Sequence, residues 1–329
     1  MKRIPTYAEL RERTDGPAGS SWGVFGDDDE YGTLNFLTPE RVAAAANCIK
    51  RGAVFGLDYP LDAFPGPLRF RDDHEHVLFS IMVTDDGVAR RTTELTTMID
   101  DFLDHFYPQG SSHIDSYRHI VHPEHGLYNG GTIDEVVPGS PRLGIGRWAE
   151  RGIAGRGVLI DVAGYRNSIG RPLDHLASET FGPDTLEEVL AAQGTTLMPG
   201  DMVLLRTGCP QHLWDFDDDD ESALKTAGLA TGVASVSWLW DNQISLIAAD
   251  NLGVEGTGAD DTSEFGEGRA GRLHPQLIPL LGMVLGELWK LDDLAADCEA
   301  DGVYEFFLTV KPLNLTGGVG SPANATAIK

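Results

Sequence analysis

Between Gln109 and Gly126 the chain reads QGSSHIDSYRHIVHPEHG, and four of its ten histidines fall in this stretch beside one aspartate. His113 and Asp115 are two residues apart, so on an extended segment both side chains leave the same face and can converge on one point. An imidazole and a carboxylate held that way are the donors a borderline divalent cation such as Zn²⁺ or Mn²⁺ prefers. His119 follows Asp115 by four residues and reaches the same pocket if the chain turns there. An imidazole in that place suits general-base work near neutrality. A polar surface loop that happens to be rich in histidine is the other reading of the same residues.

Such residues need rigid elements around them. Thr38-Pro39-Glu40 followed by RVAAAANCIKRG predicts a capped helix ending before Gly52. Short apolar runs predict strands at Val77–Val83, Val158–Ala163, Met202–Thr207, Ser245–Asp250 and Val303–Lys311, several of them continuous enough for strands buried on both faces. Helical patterns lie between them, at PDTLEEVLAAQG and GVASVSWLWDNQ, which argues for a mixed α/β fold. No repeat or linker divides the 329 residues, so one domain with an N-terminal extension of about fifty residues is expected. The acidic run at 215–221 lacks the spacing of a calcium loop and reads as solvated.

Composition narrows the partners. Acidic residues outnumber basic ones 51 to 25, and a net charge of −26 repels phosphate backbones and anionic lipid, so neither nucleic acid nor membrane is an expected partner. With no apolar span and no secretory-type start, a cytoplasmic location is expected. Cys48, Cys209 and Cys298 are odd in number and widely spaced, which suggests neither a disulfide framework nor a thiolate zinc site. The serine-hydrolase pentapeptide GxSxG, HExxH and a phosphate loop are absent, and GVGSPA from Gly318 leaves no room for a dinucleotide fold behind it.

GSSHIDSYRH resembles the HxGTHxDxPxH signature of the cyclase-type metal hydrolases, the family of bacterial kynurenine formamidase and isatin hydrolase. SSWGVFGDDDEYGTLNFLTPERV, RGVLIDV, GDMVLLRTG, IAADN and PLNLTGGVGSPANATAI are similar to segments of the long branch of that family, so the resemblance covers most of the chain. It implies a swivelling β/β/α fold with a mixed sheet, a homodimer or homotetramer, and hydrolysis of an amide, lactam or ester of a small cyclic or aromatic substrate. A lyase or cyclase reaction at the same metal, or a binding protein on a decayed scaffold, are the alternatives. Carried over, His113 and Asp115 are metal ligands and His119 is the acid/base. Gln109 stands where the family has its first histidine and still offers a carbonyl oxygen; Ser112 replaces threonine and Tyr117 replaces proline. Trp22, Phe25, His105 and Tyr117 are the candidates for touching substrate.

The resemblance also implies a second pair, His274 and Glu287 in RLHPQLIPLLGMVLGELWKL. On one continuous helix, thirteen steps would part them by roughly 20 Å and about 140°, too far to share an ion. Pro275 suits a first turn and Gly282 suits a stop, so a break at Gly282 is predicted, with MVLGE running back extended. The alternative is one amphipathic core helix with Glu287 exposed.

Overall fold

The structure is a computed structural model that describes residues 3–64, 75–83, 88–92, 98–214, 225–257 and 263–329. Its strands are β1 (Val54–Gly56), β2 (Glu75–Val83), β3 (Ala89–Thr92), β4 (Met98–Asp104), β5 (His113–Asp115), β6 (Ile153–Asp161), β7 (Thr180–Phe181), β8 (Met202–Arg206), β9 (Gly228–Leu229), β10 (Leu246–Ala249), β11 (Val284–Glu287), β12 (Glu305–Val310), β13 (Gly320–Pro322) and β14 (Ala325–Ile328). Nine of them form one mixed sheet in the order β1-β14-β12-β6-β8-β10-β11-β5-β13. The middle of that sheet, β6, β8, β10 and β11, is parallel, and antiparallel strands flank it on either side. Every residue of β10 and β11 is buried, which is why these segments read as continuous apolar runs. This is the mixed α/β fold that the sequence predicts.

The helices that cover the sheet follow from local signals. Thr38 caps the helix Pro39–Ala45 by accepting from the Arg41 amide, and that helix packs on β6. Pro183–Gln193 starts on a proline and ends at Gly194 in the left-handed region. One core of apolar side chains runs through the chain, with Trp148, Trp240 and Trp289 fully buried in it.

One expectation is corrected here. The run 77–83 is a strand, but it is the middle strand of a separate three-stranded sheet, β3-β2-β4, and is not buried on both faces. Leu78 is 66% exposed, with no second layer on that side among the described residues. The opposite face is partly covered by Arg91, whose guanidinium lies 4.0 Å from the centre of the Phe79 ring. The acidic run 215–221 lies outside the described residues. Among the described residues, no helix is long and apolar enough to cross a membrane.

Candidate metal centre

The site is built on β5, a strand of three residues held between β11 and β13. His113 is the register partner of Glu287 on one side and of Pro322 on the other, while Asp115 pairs with Leu285 and Gly320. Cross-strand partners share a face, and residues two apart on a strand share it too. His113, Asp115 and Glu287 therefore point to one side of the sheet, with ligand atoms all within 4.8 Å of one another. All three are buried.

Glu287 reaches this position through the break predicted at Gly282. A short helical turn, Leu273–Pro275, widens into a π turn over Gln276–Leu280, where Pro279 cannot donate the hydrogen bond that regular winding requires. Gly282 then takes φ +60°, its N–H bonding the Ile278 carbonyl at 3.0 Å, and the chain returns as β11. Only glycine fits, since a Cβ here would lie 2.5 Å from the Tyr128 ring.

The ring of His113 is oriented by its neighbours. Its Nδ1 lies 2.8 Å from the Ser111 carbonyl, which can only accept, so Nδ1 carries the hydrogen and Nε2 faces the carboxylates. That Nε2 is 3.2 Å from Glu287 Oε2 and 3.8 Å from Asp115 Oδ1. Burial disfavours charge on the ring, but Asp115 and then Glu287 outweigh it and hold the imidazole above its ordinary range. For Asp115 burial dominates, and its carboxyl is raised despite His119 and His113 beside it. Glu287 goes the other way, because hydrogen bonds from His113 and His274 overcome the burial and hold it well below the usual carboxylate range.

A cation fits this group on one structural observation above all. Both carboxylate oxygens of Asp115 are buried without any hydrogen-bond partner. Leaving such a group unsatisfied is costly, and a divalent ion among one nitrogen and two carboxylates would satisfy it. The donor set suits Zn²⁺ or Mn²⁺.

The remaining sequence candidates fall in different places. The chain turns at Ser116, where the His119 amide bonds the Ser116 carbonyl at 3.0 Å, and this returns His119 Nε2 to 3.7 Å from Asp115 Oδ2 with part of the ring open to solvent. Arg118 pins the turn through the carbonyls of Glu135, Arg142 and Gly317. Gln109 is buried, and an added Cβ on Gly320 would sit 2.4 Å from its amide nitrogen. Gly320 is the partner of Asp115, so the Gln109 amide lies on the same face of the sheet as Asp115, with its nitrogen unpartnered. His274 places Nε2 2.8 Å from Glu287 Oε1 and Nδ1 2.7 Å from Glu255 Oε1. Glu255 gave no signal in the sequence, because in DNLGVEG it stands five residues from Asp250 with no ligand type at a chelating spacing.

The candidates for touching substrate are not gathered at this group. Tyr117 has no exposed surface; its ring packs on Tyr128 and Trp148, and its hydroxyl donates to the Gly282 carbonyl at 2.5 Å. The turn after β5 rotates it into the core, where it ties the motif to the start of β11. His105 is exposed beside Asp104 at φ +51°. Phe25 packs edge-on against Phe36 and Trp240. Trp22 bonds the Pro279 carbonyl and borders a cleft of about 650 Å³ that His113, Asp115 and Glu287 do not line. Of the other histidines, His175 and His212 stack at 5.4 Å, and His122 accepts from the Glu124 and His125 amides.

With the geometry in view, comparison with known proteins gives the family. Residues 70–256 match the Cyclase family, described as Putative cyclase, a span that contains Gln109 to His119 and stops before His274. A crystal structure described as that of a novel cyclase superposes with a TM-score of 0.78 at 32% identity, covering 94% of this chain and 99% of that one. The chain belongs to the cyclase family. An isatin hydrolase bound to the product analogue thioisatinate shares the fold at 14% identity, TM-score 0.53, over 88% of this chain and 98% of that one. Isatin hydrolase A from Ralstonia solanacearum does so at 17% identity, TM-score 0.52, over 89% and 99%. No curated protein matches the chain.

Proposed function

We propose that this chain is a metal-dependent hydrolase that cleaves an amide, lactam or ester bond of a small cyclic or aromatic substrate. The buried His113–Asp115–Glu287 group, with the Asp115 carboxylate left unpartnered and His119 at its open side, carries this reading. A divalent cation bound there would supply Lewis acidity and make water a nucleophile near neutral pH. His113, Asp115 and Glu287 would hold it, with Gln109 and His274 as further candidates. His119, partly exposed yet 3.7 Å from Asp115, is placed to accept a proton and return it to the leaving group. The isatin hydrolases of the same fold put a bicyclic lactam first in the panel to be tried.

The test is turnover of cyclic amides, lactams and esters, isatin included, by metal-stripped protein resupplied with Mn²⁺ or Zn²⁺ in ¹⁸O-labelled water. The expected outcome is metal-dependent turnover with one labelled oxygen in the product carboxylate, lost in His113→Ala. Turnover that leaves the product unlabelled would replace hydrolysis by a lyase or cyclase reaction. Metal-independent turnover would end the reading.

A further inference from the structure

Behind the metal group lies a row of buried side chains that ends in Glu255. This residue follows β10 on a segment whose backbone is fixed by the Leu229 amide on the Val254 carbonyl at 3.0 Å and the Gly256 amide on the Leu229 carbonyl at 3.3 Å. Its carboxylate is 3% exposed as a residue, so it is neither a solvated surface acid nor free to swing. One oxygen takes the His274 ring at 2.7 Å, and the other is buried without a partner. The far side of that ring holds Glu287 Oε1 at 2.8 Å, which leaves Glu287 Oε2 turned toward His113 at 3.2 Å.

We infer that Glu255 is a positioning residue that acts through His274 to fix which oxygen of Glu287 faces the His113–Asp115 pair. The inference rests on the metal reading of that group and extends it. An imidazole bonded on one side alone can rotate about its remaining bond, and a buried carboxylate that loses a fixed donor swings toward whatever else it can reach. With Glu255 present, both ring nitrogens of His274 are occupied by carboxylates, and the ring has a single orientation. Partners that orient a metal ligand in this way are worth roughly 10- to 100-fold in affinity.

The test is titration of Mn²⁺ or Zn²⁺ into chelator-stripped protein, followed by calorimetry, for the wild type, Glu255→Gln, His274→Ala and the double variant. Glu255→Gln is expected to weaken binding about 10- to 100-fold with an unchanged circular dichroism spectrum. In the His274→Ala background the same substitution is expected to cost nothing further, since a residue acting through another loses its effect when that other is gone. Unchanged affinity in Glu255→Gln, or losses that multiply in the double variant, overturns the inference. A wild type that binds neither ion overturns instead the metal reading beneath it. Should Glu255→Gln fail to fold, ¹⁵N-histidine spectra of the wild type decide: a hydrogen-bonded Nδ1–H on His274 supports the assignment, and an unprotonated Nδ1 refutes it.

Discussion

In the proposed reaction His119 is the residue on which proton transfer turns, and its surroundings differ from those of the residues proposed to hold the ion. Its ring is partly open to solvent and meets the buried group at one edge, with Nε2 3.7 Å from Asp115 Oδ2, so its removal is expected to leave the sheet and the other three side chains in place. His119→Ala is expected to lower kcat by about 10²- to 10⁴-fold while bound metal, measured by atomic emission, stays at the wild-type level. Loss of metal together with rate would make it a ligand. His113 and Asp115 were legible because a spacing of two on an extended segment can only mean one face. Glu255 was hidden for the opposite reason: its partner lies nineteen residues on, at His274, and only the fold brings the two together. Tyr117 was misread because the turn at Ser116 ends the alternation that would have kept it beside Asp115.

At the scale of elements, the site depends on a helix that stops. Pro275, Gly282 and the short run MVLGE were sufficient to predict that Glu287 returns on a strand, and the π turn with Gly282 at φ +60° is how it does so. The Gly282 carbonyl is also where three groups meet, taking the Thr33 amide at 2.8 Å, the Thr33 hydroxyl at 3.2 Å and the Tyr117 hydroxyl. Gly282→Ala combines a left-handed backbone with a side chain driven into Tyr128, and is expected to cost at least about 2 kcal/mol, read as a lower midpoint in denaturant. A midpoint equal to the wild type would show that the turn is not constrained as described. What the sequence concealed at this scale is β5: three residues offer no periodicity, and β5 is a strand only because β11 and β13 enclose it.

For the whole molecule, burial of carboxylates in so acidic a chain gives stability a definite dependence on pH. Asp58, Asp201 and Asp250 are each pushed up to about 6, in every case by burial first. A carboxyl raised in the folded state binds its proton more tightly there than in the unfolded chain. The stability this contributes is complete below the ordinary carboxylate range and is lost as pH rises through about 6. Asp58 isolates the effect, since its Oδ2 accepts the Ala325 amide at 2.8 Å, which an asparagine oxygen can also do, while its Oδ1 is buried without a partner. Asp58→Asn is expected to gain on the wild type by on the order of 1 kcal/mol as pH is raised from 4.5 to 7 in calorimetry. A difference that does not change with pH would refute this. Composition could not have foretold it, because the net charge of −26 says how many acids there are and nothing about which are enclosed.

The most direct test of the whole account is anomalous diffraction from crystals grown with Mn²⁺ or Zn²⁺, collected at the edge of the metal supplied. The account predicts a peak among His113 Nε2, the Asp115 carboxylate and Glu287 Oε2. A well-diffracting crystal with no peak there, or with the ion bound elsewhere, would contradict it.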